Sequence, residues 1–172
     1  MTSGRAESVV SALRAVVLMS IASWVGIMAF FSFVAAPRLF HTLERREAGE
    51  LVAALLPAYY QWGITLSGLA VGALVVLAAR RSRQRLRHLA GAALGAVMVI
   101  GLVWALGMTL PAANRARRAG DDAAFAASHR QAVRLNVLVL VCGVAVGLLE
   151  VSALSSWTRQ RRSAADLPVR AR

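Results

Sequence analysis

Four long runs of apolar residues, separated by short charged segments, dominate the sequence. The runs cover approximately Ala15–Ala36, Pro57–Ala79, Leu89–Leu110 and Leu135–Trp157. Each has about twenty residues, so as a helix it is about 30 Å long, which matches the hydrocarbon core of a bilayer. Because backbone groups in lipid must be paired within their own segment, the pattern predicts an all-α polytopic membrane protein, a four-transmembrane-helix bundle.

Prolines stand at the predicted boundaries of three runs. Pro37 and Pro111 follow the first and third runs, where proline can end a helix. Pro57 opens the second run, at a position where its missing N–H is harmless. The prolines therefore predict the ends of the first and third spans and the start of the second.

The two connections on the side away from the termini predict short interfacial helical segments. The segment Arg38–Arg46 has apolar residues on one face and charges on the other, and Gly49 can end it. Asp121 and Asp122 can cap a helix that runs through His129 into the fourth span.

Three regions follow from this reading. Residues 1–14 form an N-terminal segment, residues 15–157 form the four-helix transmembrane domain, and residues 158–172 form a basic C-terminal tail. The tail is rich in arginine, contains Pro168 and lacks apolar periodicity. We expect it to be disordered and drawn to anionic lipid.

Composition supports the membrane reading and limits the function classes. Hydrophobic residues make up 58% of the 172-residue chain and charged residues 16%, which is not the composition of a water-soluble domain. The net charge of +12 comes from arginines outside the apolar runs, with no interleaved aromatic residues, so the expected partner is the lipid bilayer and not nucleic acid. The single cysteine, Cys142, excludes an intramolecular disulfide framework.

Arginine counting predicts the orientation. Twelve arginines lie in the N-terminal segment, the second loop and the C-terminal tail, against eight in the other two connections. Because basic residues near short spans are retained in the cytoplasm, both termini should be cytoplasmic.

Glycine pairs one helical turn apart occur in three of the spans. Such pairs let helix backbones approach closely in lipid, where close packing holds helices together. We expect them to pack the bundle internally, and a homo-oligomer seam is the alternative. The pairs are Gly68 and Gly72, Gly91 and Gly95, and Gly143 and Gly147.

The polar residues of the fourth span share one helix face. His129, Asn136, Gly143, Glu150 and Trp157 recur every seven residues. Such a face must contact protein or water, because an ionised carboxyl near the middle of a bilayer costs about 2.5–3.5 kcal/mol. His129, Asn136 and Glu150 therefore form a candidate polar path, in which Glu150 either handles protons or ions or only bonds within the bundle. By depth, its expected partners are Ser20, Ser23 and Trp24.

The sequence predicts no catalytic constellation, cofactor or metal site. His41 and His129 on one side could form a metal or haem pair, but neither has a second partner at ligand spacing, so ordinary hydrogen bonding is favoured. His88 is assigned to the loop before the third span. No catalytic triad spacing or phosphate-binding glycine loop occurs, so the protein is not expected to be an enzyme.

Two blocks of sequence resemble a known family. One is FVAAPRLFHTLERREAGELVAALLPAYY, which contains Pro37, Phe40, Gly49, Pro57 and Tyr60; the other is FAASHRQAVRLN followed by GLLE, which contains Phe125, His129, Asn136 and Glu150. Together they resemble the transmembrane protein 205-like domain family, whose bacterial members are classed as membrane domain of unknown function 4149. The resemblance implies four spans and two outer signature segments. A eukaryotic relative is associated with tolerance to platinum drugs.

The combined reading is a protein of the bacterial inner membrane with a polar site on its fourth helix. The favoured function is transport or permeation of a small molecule or ion, or a related tolerance function. The alternatives are a non-catalytic accessory subunit that binds other membrane proteins, and a haem- or quinone-linked redox subunit.

Overall fold

The computed structural model describes the backbone of residues 2–80 and 84–165, and within these ranges the chain forms helices and no strand. Four helical stretches are long and apolar enough to cross a membrane, which confirms the predicted all-α bundle. They are Glu7–Thr42, Arg45–Ala79, Arg85–Ala119 and Asp122–Ser152. The six α-helices are α1 (Thr2–Phe30), α2 (Ala36–Thr42), α3 (Arg45–Ala79), α4 (Arg85–Trp104), α5 (Leu110–Ala119) and α6 (Asp122–Ala165).

The long helices α1, α3, α4 and α6 form a closed ring of neighbours. Helix α3 packs against α1 and α4, and α6 packs against the same two helices from the other side. Consequently α3 and α6 face each other across the bundle, as do α1 and α4. We call the end near residues 7, 80, 85 and 152 the termini side, and the end near the α2–α3 and α5–α6 connections the hairpin side.

The expected helix ends at Pro37 and Pro111 are wrong, because each chain segment stays helical through its proline. A five-residue π-helical turn precedes each one, at Phe31–Ala35 and Ala105–Thr109. A proline within a helix removes an N–H and crowds the carbonyl four residues earlier. The wider π turn shifts the local hydrogen bonding to a spacing of five residues, which lets the helix continue.

The second span also starts earlier than its proline suggests. Helix α3 begins at Arg45, and Pro57 lies in its interior. Gly49, expected to end a preceding interfacial helix, is part of α3 as well. The interfacial helix itself ends at Thr42, because the backbone of Leu43 turns to an extended conformation.

The second hairpin connection agrees with the expected cap. The carboxylate of Asp121 accepts a hydrogen bond of 2.9 Å from the backbone N–H of Ala124, at the start of α6. Before it, Gly120 ends α5 with a positive φ of 67°, a conformation that favours glycine. Helix α6 then runs without interruption through His129 into the fourth span, as predicted.

The two halves of the chain repeat one order of elements. Each half has a long helix, a π-helical turn, a proline six residues after the turn begins, a short helix, a two-residue connection and a second long helix. The repeat explains why both hairpin connections lie on one side of the bundle. The bundle is therefore two similar helical hairpins packed together.

The predicted glycine pairs separate into two kinds. Gly91 and Gly95 are buried against side chains of α3, while Gly143 and Gly147 meet side chains of α1. Gly68 and Gly72 are instead open, with nothing within 4 Å of the position that a Cβ would take on either residue. The face of α3 that packs inward is the one that carries Gly63, Ala70 and Leu74, so the two open glycines lie on its other side.

The C-terminal tail begins differently from the expectation. Helix α6 continues to Ala165, so the first residues of the predicted disordered tail have a helical backbone. Residues 166–172, including Pro168, lie outside the described residues.

Candidate functional site

Two ionisable side chains meet inside the bundle near its termini side. His88 lies in the first turn of α4 and Glu150 lies in α6, and each side chain is only 2% exposed. The Nδ1 atom of His88 is 3.3 Å from Oε1 of Glu150. This contact lacks hydrogen-bond geometry, and Oε2 of Glu150 has no hydrogen-bond partner among the described residues. The arrangement is a buried acid and a buried base at ion-pair distance.

Two half-buried arginines tie the helices together at the same end. Arg87 donates to the backbone carbonyl of Leu149 and to the hydroxyl of Ser152. Since Arg87 precedes His88 and Leu149 precedes Glu150, this contact fixes α4 against α6 beside the buried pair. On α1, the guanidinium of Arg14 donates to the side-chain oxygen of Gln84, which directly precedes α4.

The partners expected for Glu150 from sequence take different places. Ser20 is buried in α1, whereas Ser23 is on the exposed face of that helix. Trp24 is fully buried, but its ring packs against Tyr59 of α3. The structure brings the imidazole of His88 to Glu150. The apolar pattern predicts a loop at His88 because the apolar run begins at the next residue, but the helix begins earlier, at Arg85.

A second polar contact lies toward the hairpin side. The side chain of Asn136 in α6 approaches the Tyr60 hydroxyl in α3, although no hydrogen bond of ordinary geometry joins them. Because α3 and α6 are opposite helices of the ring, this contact crosses the interior of the bundle. Tyr60 also contacts Tyr59 edge to face, and Tyr59 packs against both Trp24 and Phe31.

The face of α6 between these two polar contacts is closed by apolar side chains. A Cβ atom on Gly143 would lie 3.1 Å from Val25 Cγ2 and 3.3 Å from Met98 Cε. Val139 and Val146, on the turns to either side of Gly143, are buried as well. The glycine therefore accommodates neighbouring side chains and does not open a route along α6.

His129, the third residue of the predicted polar path, is exposed on the hairpin side. Its ring stacks on Phe125, with ring centroids 6.4 Å apart and planes inclined by 16°. The guanidinium of Arg117 lies 5.3 Å from the centre of the Phe125 ring and donates a 2.8 Å hydrogen bond to the carbonyl of Gly49. Two residues of the signature blocks, Gly49 and Phe125, thus take part in one contact that joins α3, α5 and α6.

Four uncharged polar side chains are buried without a hydrogen-bond partner in the described part of the chain. Most buried polar groups in proteins are hydrogen-bonded, so these four atoms are exceptions to the usual pattern. The apolar pattern does not reveal them, because the hydroxyls belong to isolated residues within apolar runs. The atoms are Trp24 Nε1, the Tyr59 hydroxyl, Ser67 Oγ and Thr109 Oγ1.

The histidines do not assemble a metal site in the ranges that the structure describes. No group of three His, Cys, Asp or Glu side chains that could hold a metal ion occurs there. His41 and His129 are both exposed, and Cys142 is a free, buried thiol in α6.

Comparison with known proteins gives one family and one relative. The family model described as Domain of unknown function (DUF4149) matches residues 19–122, which is more than half of the chain. An uncharacterised protein of Aquifex aeolicus (strain VF5) is 44% identical over 48 residues, which are 28% of this chain and 36% of that protein. The chain thus spans about a third of the length of the curated relative that it matches. No solved structure matches the chain.

The matched range includes the first hairpin from residue 19 onward, His88 and both π-helical turns, and it stops at the start of α6. Asn136 and Glu150 lie beyond it. The expected resemblance to the bacterial membrane domain is confirmed by this match, and the chain belongs to the DUF4149 family.

Proposed function

We propose that this protein resides in the bacterial inner membrane and moves protons across it, with Glu150 and His88 as the protonatable centre. The observation that carries the proposal is the contact of these two buried side chains between α4 and α6. Ionisable residues inside a membrane are costly, and chains of Asp, Glu and His residues in membrane proteins mark proton relays.

The chemistry of the pair suits proton exchange. A carboxylate and an imidazolium together carry no net charge, and either loss of a proton from the imidazolium or gain of one by the carboxylate changes that charge by one unit. The charged side chains described at this end of the bundle include Arg14 of α1, Arg80, which directly follows α3, and Arg85 and Arg87 of α4. A proton that the pair gains or loses is therefore exchanged at an end of the bundle that carries positive charges.

The arginine distribution supports an orientation with both termini in the cytoplasm. The termini side of the bundle then faces the cytoplasm, and the His88–Glu150 pair lies in the cytoplasmic half of the membrane. The Tyr60–Asn136 contact lies in the opposite half. In this orientation a proton that enters from the periplasm reaches the Tyr60–Asn136 region first and the His88–Glu150 pair last. A proton that enters from the cytoplasm meets them in the opposite order.

Proton flux in proteoliposomes tests the proposal. Purified protein is reconstituted with an entrapped pH-sensitive dye, and an imposed potassium diffusion potential drives protons inward. Wild-type protein should acidify the lumen, and Glu150→Gln and His88→Gln should each reduce the rate at least tenfold because neither variant can exchange a proton at its substituted position. Flux at the protein-free rate for the wild type, or at the wild-type rate for Glu150→Gln, would contradict the proposal.

Matched controls exist for both substitutions. Glu50→Gln changes an exposed glutamate that pairs with Arg46, and His129→Gln changes the exposed histidine on the hairpin side. Both controls should conduct like the wild type. A protein that carries no protons but co-purifies with other membrane proteins regardless of the residue at position 150 would instead fit the accessory role.

A further inference from the structure

Three of the unpartnered polar groups lie on α3 and on α1, the helix that packs against it. We call them the α1–α3 polar seam: Trp24 Nε1, the Tyr59 hydroxyl and the Ser67 hydroxyl. Trp24 and Ser67 are fully buried and Tyr59 is 6% exposed. Within the described part of the chain none of the three atoms has a hydrogen-bond partner.

The seam follows one stripe of α3. Tyr59, Gly63 and Ser67 are four residues apart, so they lie above one another on the same helix face. The indole of Trp24 rests on Gly63, where Cε2, the carbon bonded to Nε1, is 2.9 Å from the position that a Cβ would take. Along α3, the indole N–H therefore lies between the two hydroxyl-bearing residues.

Contacts with α1 show which residues of α3 and α6 lie at similar depths in the bundle. Trp24 packs on Gly63 of α3, and its neighbour Val25 packs on Gly143 of α6. Since Trp24 and Val25 are adjacent, Gly63 and Gly143 lie at similar depths in the bundle. Depths of other residues on the two helices follow from a rise of about 1.5 Å per residue.

By this estimate the polar groups follow one another in depth across the membrane. Ser67 lies about 6 Å and Glu150 about 10 Å from the level of Trp24 toward the termini side, while Tyr59 lies about 6 Å and Asn136 about 10 Å toward the hairpin side. Successive groups differ in depth by about 4–6 Å. A water molecule that hydrogen-bonds two groups at about 2.8 Å each covers a depth step of this size, and the lateral offset between helices adds further water molecules to the file.

We infer that the α1–α3 polar seam binds a file of water molecules, and that this file carries protons between the Tyr60–Asn136 contact and the His88–Glu150 pair. The inference rests on the proposed function and names its route, which passes between α1 and α3. The face of α6 between the same end points is filled by Val25 and Met98 around Gly143.

The chemistry of the seam selects water over other occupants. An indole N–H only donates, while each hydroxyl donates and accepts, and a buried water needs two to four such partners. A calcium or magnesium ion needs about six oxygen ligands, and the seam offers two hydroxyl oxygens. The seam carries no cationic side chain to hold an anion. Water, and the proton that moves along it, therefore fits this set of groups.

The flux assay tests the route through two single-atom changes. Tyr59→Phe and Ser67→Ala each remove one hydroxyl and keep the helix and its packing. Each should lower proton flux at least tenfold, with a melting temperature in detergent close to that of the wild type. Thr65→Ala is the matched control, because Thr65 is exposed on the same helix and its hydroxyl already bonds the carbonyl of Gln61 at 2.9 Å.

Water contact at Trp24 is measurable without any flux. In protein labelled with ¹⁵N at the indole nitrogens and held in detergent micelles, the Trp24 signal is assigned as the one lost in Trp24→Phe. Magnetisation transfer from water should reach this indole N–H. The lipid-facing Trp104, which is 49% exposed in α4, serves as the comparison on the outside of the bundle.

The outcomes separate the route from the function. If Glu150→Gln blocks flux while Tyr59→Phe and Ser67→Ala conduct like the wild type, the proposed function stands and the water file is overturned. Absence of water transfer to the Trp24 indole also overturns it. If wild-type protein conducts no protons, the proposed function fails and the route fails with it.

Discussion

The indole ring of Trp24 lies directly against the backbone of Gly63, at a place where no other residue fits. A Cβ atom on Gly63 would be 2.5 Å from Cζ2 and 2.6 Å from Cη2 of the indole. A shift of the ring would disturb its other contacts, because Trp24 is fully buried and packs against Tyr59 with ring centroids 4.9 Å apart. This contact sets the distance between α1 and α3.

We expect Gly63→Ala to destabilise the protein by about 1–3 kcal/mol, the usual cost of overpacking a tight interior. The measurement is the melting temperature in detergent. Gly68→Ala on the same helix is the control, since nothing lies within 4 Å of its Cβ position and alanine favours a helix over glycine. Equal melting temperatures for both variants would contradict the close contact.

Substitutions at His88 and Glu150 should have coupled effects on the stability of the protein. Removing one member leaves the other buried without its partner, which costs about 3–5 kcal/mol for a buried ion pair. Glu150→Leu and His88→Leu should each lower the melting temperature, and the double variant should lose less than the two single losses combined. Glu50→Leu, in the exposed pair with Arg46, should change stability by less than about 1 kcal/mol. Additive losses at positions 88 and 150 would show that the two side chains do not interact.

The Arg117 contact on the hairpin side should contribute less to stability than the His88–Glu150 pair. Arg117→Gln removes a hydrogen bond to the Gly49 carbonyl and the cation–π contact with Phe125, so we expect a loss of about 1 kcal/mol. The neighbouring exposed arginine supplies the control as Arg118→Gln. A melting temperature of Arg117→Gln equal to that of the control would mean that this contact does not hold the hairpins together.

Reporter fusions test the proposed orientation. Fusions at the N-terminus and after Arg162 should both report the cytoplasm, because the second loop and the tail carry the larger share of arginines. A periplasmic signal from either fusion would reverse the orientation and place the His88–Glu150 pair in the periplasmic half.

The sequence was sufficient to predict the architecture but not the helix ends. Four apolar runs define four spans, because only helices satisfy backbone groups in lipid. The errors at Pro37 and Pro111 have one cause. Hydrophobic patterns do not reveal that a helix continues through a proline, nor the π-helical turn that precedes each of these two prolines.

The site was predictable only in part. Seven-residue spacing identifies Glu150 and Asn136 as polar residues on one helix face. In the structure Glu150 is buried against His88, and the half-buried Asn136 approaches Tyr60. Their partners, His88 and Tyr60, lie on other helices, and the spacing within one helix carries no information about them. Ser67 was not predictable at all, since a lone serine in an apolar run commonly bonds to its own helix backbone.

The central claim is that Glu150 exchanges a proton inside the bundle, and infrared difference spectroscopy of the reconstituted protein measures that most directly. Spectra recorded at low and high pH should contain a carboxylic acid C=O band that is absent in Glu150→Gln and retained in Glu50→Gln. The appearance of this band on acidification, together with its loss only in the Glu150 variant, is the predicted result. Identical difference spectra for the wild type and Glu150→Gln would contradict the account, because the buried carboxyl would then not change its protonation.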